Sequence, residues 1–263
     1  MKILVAHTAV DLHAGAEDQD ILVQAQAVTQ ALLSRGHEVR ALAWDSDPAV
    51  MTDILIGEGP EVIFNLVETK TGHGREVGRP AALLERLGIP FTGAGSRALI
   101  ESSNKLTAKH RLRRAGLPTP LGFAPRQLQR ATVPAGRYIV KSVWEHASHG
   151  LGSASVVRVG GRRDLERELR ARLESLGGMA LAEAYVPGRE FNVGVLQGPA
   201  GTKVLPVAEI HFQEHEGDGH RIVDYAAKWH EGSAAWVGTP RVFEARPEDQ
   251  ELHGRLRTLA WAA

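Results

Sequence analysis

Residues 138–151, YIVKSVWEHASHGL, decide how the rest of the chain is read. Ile139 and Val140 are β-branched and suit a buried strand, and Lys141 closes the run just before a small-residue loop that carries Gly150. An ammonium at a strand end, beside a flexible loop, is one way a protein neutralises phosphate. Surface strands also end in lysine, so the stretch needs supporting motifs elsewhere before it means more than that.

Composition narrows the choices. The chain has 263 residues and 43% hydrophobic content, enough for a sizeable core and for about two domains. Lys plus Arg and Asp plus Glu both number 31, so the formal charge is zero and no global electrostatic footprint for DNA, RNA or an anionic membrane exists. No run approaches the ~20 apolar residues of a membrane span. The opening MKILVAHTAV has too short an apolar part, and no small-residue cleavage site, for a secretory signal, so a cytoplasmic location is expected. Cysteine is absent, which excludes disulfides, thiolate metal sites and a cysteine nucleophile.

Alternating strand and helix patterns organise the first part. Ile3, Leu4 and Val5 predict a buried parallel strand over 2–6, and Ile21, Leu22, Ala25, Val28, Leu32 and Leu33 predict a helix over 20–35 with Gly36 as its stop. Further strands are expected over 38–43, 62–66 and 89–92, with a helix over 80–87. The expectation is an α/β fold, a Rossmann-like open sheet over residues 1–100. Gly93-Ala94-Gly95-Ser96-Arg97-Ala98 has the spacing of a dinucleotide fingerprint, but it closes this unit instead of following the first strand, so a glycine turn with close helix packing is the favoured reading.

The second part predicts α+β structure. A helix over 102–115, with Ser102 or Ser103 as cap and Gly116 as stop, leads to Leu117-Pro118-Thr119-Pro120, an extended boundary segment. A strand over 153–159 would pair as a hairpin with 138–141, followed by a helix over 162–176 with Leu165, Leu169 and Leu173 on one side. Strands over 180–185, 190–196 and 203–211 and a last helix over 248–263 complete the pattern. The expected division is a central subdomain over 101–178 and a C-terminal one over 179–263.

Four ordered stretches carry the chemistry: Lys105 in SNKLTAKHRLRRAGLPTP, Lys141 in YIVKSVWEHASHG, Glu183 and Glu190 in LAEAYVPGREFNV, and Lys228 in VDYAAKWH. In this order and spacing they closely resemble the ATP-grasp ligases, and within them the D-alanine–D-alanine ligases. The resemblance runs over essentially the whole chain.

The resemblance implies ATP and Mg2+ as cofactors and a role for each matched position. Lys105 and Lys141 would contact the nucleotide phosphates. Glu145 would open the flap that closes over them, and Ser148 would supply a hydroxyl on the substrate side. Glu183, Ala184, Tyr185 and Val186 match the hinge that reads adenine, and Glu190 the acid that binds the ribose hydroxyls. Lys228 falls in a second mobile loop over the γ phosphate, and Glu17 aligns with the acid holding the amino group of the first amino acid. These residue types suit the chemistry: phosphoryl transfer to a carboxylate, then attack by an amine, needs charge neutralisation, positioning and exclusion of water. A D-amino acid or a related amino acid would be the other substrate. A homodimer is implied too, with no nucleic-acid or membrane partner.

Plainer readings stand beside these. Lys105 and Lys228 could be solvated charges, and Glu183 an edge-strand charge. Asp18 or Asp20 could take the place of Glu17, or all three could simply begin a helix. His211, His215 and His220 with Asp218 suggest zinc, without a compact helical pair of ligands.

Three departures from the family pattern bear on substrate and activity. Asn65-Leu66-Val67-Glu68 stands where these ligases carry a His-Gly pair, and His146 and Ala147 replace a glycine and a serine in the flap. Other amino acids or peptides are therefore open as substrates. The family's metal-binding carboxylates would lie beyond Ala263, so no metal ligand is expected within the chain. Bare apolar faces are expected as well, and with them either a truncated product or a nucleotide-binding protein that no longer catalyses.

Overall fold

The computed structural model describes residues 1–11, 14–69, 74–213 and 220–263. They form two compact units, Met1–Lys105 with Trp144–His146, and Leu106–Val143 with Ala147–Ala263. Among the described residues no helix is long and apolar enough to cross a membrane.

The first unit is built on β1 (Lys2–Thr8), α1 (Ala16–Leu33), β2 (Glu38–Trp44), α2 (Pro48–Glu58), β3 (Val62–Leu66), α3 (Arg79–Leu87) and α4 (Ser96–Ser103). Its parallel sheet has the order β2-β1-β3, so the fully buried run Leu4, Val5 and Ala6 forms the central strand. The sequence pattern passes over α2. Met51 and Leu55 bury one turn apart, but exposed Val50 and Ile56 put apolar residues all round the helix and mask its period. Asp47 caps it by accepting the Ala49 N–H at 2.8 Å, with Pro48 in the first turn. The glycine segment 93–95 is the turn and tight packing that was expected: a Cβ on Gly95 would sit 2.7 Å from Glu85 Oε1, and Glu85 in turn accepts from the N–H and hydroxyl of Ser96.

The predicted helix over 102–115 is two helices. Asn104 is extended, with ψ at 101°, and separates α4 from α5 (Lys105–Arg114). The second unit continues with β4 (Gly122–Phe123), α6 (Pro125–Leu128), β5 (Gly136–Ser142), β6 (Val156–Val159), α7 (Arg162–Arg172) and β7 (Ala180–Ala184). These strands form an antiparallel sheet of order β4-β7-β5-β6. The β5–β6 hairpin is as expected except that Ser153–Ser155 is a 3-10 turn. The boundary expected after residue 178 does not separate β7 from this sheet: Ala180, Leu181 and Ala182 are buried, and β7 lies between β4 and β5 as an inner strand.

Alternation along β5 fixes which residues face the core. Tyr138 and Val140 bury with Leu165 and Leu169 of α7, Phe123 and Leu128, which leaves Lys141 on the opposite face. Beyond the sheet follow β8 (Glu190–Asn192), β9 (Val195–Gly198), β10 (Gly201–Val204), β11 (Ala208–Ile210), α8 (Tyr225–Trp229), α9 (Ala234–Val237), β12 (Arg241–Val242) and α10 (Gln250–Ala262). The two long strands predicted over 190–196 and 203–211 are each broken, the first at Gly194 and the second near Pro206, which has no N–H for a ladder. Leu196, Phe243 and Trp261 are exposed.

Candidate nucleotide site

In the antiparallel register Ile139 of β5 faces Glu183 of β7, which makes Lys141 the diagonal neighbour of Glu183 on the same face. The Lys141 ammonium pairs with Glu183 Oε2, and the Lys109 ammonium, reaching from α5, pairs with Oε1. Lys109 also donates to the Thr119 hydroxyl at 2.9 Å. Exposure grades across the triad, from 6% for the Lys109 side chain and 11% for Glu183 to 25% for Lys141. Two ammonium groups against one carboxylate leave one positive charge, and Lys141 is the member that solvent or a ligand reaches. Burial pushes the Glu183 carboxyl up, but Lys141 and then Lys109 outweigh it and hold the group below the usual carboxylate range.

The strand after Glu183 keeps one donor open. The Ala184 N–H goes to Leu121 O at 2.7 Å and the Tyr185 N–H to Arg137 O at 2.9 Å. The Val186 N–H has no protein acceptor among the described residues, and Val186 is exposed. The Tyr185 hydroxyl accepts the Arg221 N–H at 2.9 Å, and its ring lies under the Arg137 guanidinium at 5.1 Å. Glu190 is half-buried on β8, and burial raises its carboxyl pKa.

Two loops of this unit are joined. Ser148 Oγ donates to Val223 O at 2.7 Å, the Tyr225 N–H to Leu151 O at 3.1 Å, and Trp229 Nε1 to Ala147 O at 2.8 Å. Ala147 and Ser148 have φ of 54° and 61°, left-handed values that side chains with a Cβ adopt at a cost of ~1–3 kcal/mol each. Lys228, on α8, has its ammonium 5.8 Å from the Trp229 ring centre.

A scan of protein-family models gives no match. The D-alanine–D-alanine ligase of Gluconobacter oxydans (strain 621H) is 31% identical over 238 residues, 90% of this chain and 73% of the relative. The chain belongs to the D-alanine–D-alanine ligase family. The ligase of that name from Granulibacter bethesdensis (strain ATCC BAA-1260 / CGDNIH1) is also 31% identical, over 82% of this chain and 64% of its own length. The crystal structure of D-alanyl-alanine synthetase A from Vibrio cholerae O1 biovar eltor str. N16961 superposes with a TM-score of 0.68 at 17% identity, covering 99% of this chain and 79% of that one. The fold is thus the ATP-grasp fold of this ligase family.

Measured against the family pattern, Lys141, Glu183 and the hinge residues come together in the second unit. Lys105 belongs to the first unit, where its ammonium donates to Glu145 O at 2.6 Å. Glu145 Oε1 also accepts the Gly74 N–H at 3.2 Å. The backbone of Glu17 lies in α1, while its side chain lies outside the described residues. His215 and Asp218 of the zinc reading also lie outside them; His211 lies 3.3 Å from Glu209, and His220 stacks edge-on against Tyr185. Among the described residues no three metal-ligating side chains converge. The first unit carries a cleft of about 470 Å³ at the carboxyl ends of β1, β2 and β3, lined by Thr8, Trp44, Asp45, Glu68 and Arg79 among others.

Sequence reasoning missed Lys109 and Arg189. The Arg189 guanidinium binds Glu209 through Nε and Nη2 at 2.6 and 2.7 Å, and Asp249 through Nη1 and Nη2, both at 2.7 Å. It thereby ties β8, at the residue before Glu190, to β11 and to the start of α10. Hydrogen bonding to Arg189 holds both carboxyls below their ordinary range. Lowered carboxylate pKa values contribute stability that is present above the unfolded values, about 4, and is lost as pH falls through the folded ones. The Arg189→Gln variant therefore unfolds at lower urea than the parent at neutral pH, and the gap closes below about pH 4. Urea titrations across that range read the convergence.

Proposed function

We propose that the chain binds ATP on the Lys141 face of the β4-β7-β5-β6 sheet and uses it to join a carboxylate to an amine, as the D-alanine–D-alanine ligases do by name. The supporting observation is the Lys109–Glu183–Lys141 triad, whose surplus positive charge is solvent-accessible only at Lys141 and therefore calls for an anion there. The open Val186 N–H fits the acceptor edge of adenine, and Glu190 fits a vicinal diol. In this reading the Lys141 ammonium neutralises phosphate oxygens. A carboxylate oxygen of one amino acid attacks the γ phosphorus and ADP leaves. The amine of the second then attacks the acyl carbon, expelling phosphate and losing a proton.

The joined loops 147–151 and 223–229 keep water from the acyl phosphate, and Lys228 lies on the second of them. Glu17 is proposed to hold the ammonium of the first amino acid, Ser148 to lie on the substrate side, Lys105 to reach the nucleotide phosphates and Glu145 to begin the flap. ATP would enter as its magnesium complex, which supplies charge neutralisation between the phosphates; with no ligand set converging among the described residues, no step is assigned to the metal. A D-amino acid is the proposed substrate class, the cytoplasm the proposed location and a homodimer the proposed assembly.

Titration calorimetry with ATP, followed by a panel of D- and L-amino acids in a phosphate-release assay, tests the reading. Release of one phosphate per dipeptide, requiring both ATP and an amino acid, is the expected result. A chain that takes up no ATP at millimolar concentration is not a ligase of this kind.

A further inference from the structure

We propose that Lys109 is a positioning residue for the hinge carboxylate: it keeps Glu183 in place and ionised when the Lys141 ammonium leaves for the phosphates of a bound nucleotide. The inference rests on the nucleotide reading above. Each oxygen of Glu183 has its own lysine, and the two lysines differ in freedom. Lys109 is enclosed. Its ammonium is bonded to Thr119 Oγ1 at 2.9 Å, and Gly122 of β4 makes room for its chain, since a Cβ there would lie 2.8 Å from Lys109 Cε and 3.4 Å from Glu183 Cγ. Lys141 is more than twice as exposed as Glu183 and sits at the end of β5, next to the flap.

A nucleotide that draws Lys141 away removes one of the two charges facing a buried carboxylate. With no other cation such a group takes up a proton, because the charged form is the one burial penalises. Among the described residues the charged groups facing Glu183 are Lys109 from α5 and Lys141 from β5, while Thr119 and Gly122 on the β4 side are neutral. Arg113, on the same helix as Lys109, acts on that lysine. Burial lowers the Lys109 pKa, and the Glu183 carboxylate bonded to it opposes the fall. Lys109 thus frees Lys141 to move.

Calorimetry of ADP binding to the full chain, in buffers of different ionisation enthalpy from about pH 5.5 to about pH 8, tests this. In Lys109→Met, nucleotide binding takes up about one proton more than in the parent, and affinity falls about tenfold further per pH unit within that window. Adding Glu183→Gln to Lys109→Met returns proton uptake to the parental value. Parental uptake and pH dependence in Lys109→Met itself would overturn the proposal, since a lysine that only packs leaves both unchanged. Should Lys109→Met not fold, restored folding in the double variant supports the compensating role, and failure to restore it overturns that role. A parent chain that binds no nucleotide overturns the functional reading and this inference together.

Discussion

Lys141→Ala lowers the affinity of the chain for ATP by about 30-fold or more while leaving it folded, as calorimetry and a thermal melt of the same sample will read. Losing one charged partner of a desolvated pair costs ~2–5 kcal/mol in binding, and Lys141 is the only member of its triad with substantial exposure. Folding is spared because Glu183 keeps Lys109. The ~3–5 kcal/mol penalty of an uncompensated buried charge therefore does not arise. An Ala variant with parental affinity would place the phosphates elsewhere and remove the main support for the site.

Gly74→Ala gives the second large effect, in the first unit. A Cβ there would lie 2.7 Å from Trp144 O and 3.0 Å from Trp144 C, with Glu145 Oε1 at 3.1 Å. Two of those atoms are backbone, so segment 144–146 must move, carrying Glu145 away from the Gly74 N–H and the Lys105 ammonium. A destabilisation of ~1–3 kcal/mol follows from such overpacking, together with a fall in ligase turnover. Gly57→Ala serves as the control. Gly57 lies inside α2 with open space where its Cβ would go, so urea unfolding should show a gain of ~0.5–1 kcal/mol.

How far the sequence could be read depended on whether the cause was local. Lys141 and Glu183 were legible because each sits in an apolar run whose alternation says strand, and strand position says which face a side chain takes. Lys109 was not. It lies four residues after Lys105 in the same basic stretch, and what singles it out is the recess formed by Thr119, Gly122 and Glu183, which only tertiary structure brings together. Gly74 was hidden for the same reason, since its partner Trp144 is 70 residues away in the chain. The inner-strand position of β7 was likewise invisible, because a strand's own pattern does not name its neighbours. The Arg189 cluster joins three separated acids and bases across β8, β11 and the start of α10, a contact no spacing rule predicts.

Hydrogen bonds join Ser148, Leu151 and Ala147 to Val223, Tyr225 and Trp229. In the proposed reading these loops cover the nucleotide, and two covers joined by these hydrogen bonds among the described residues do not lift separately. Opening in that reading is a single cooperative event, so admission of substrate and escape of product are governed by the same step. A change anywhere along residues 223–229 should alter the rate of both.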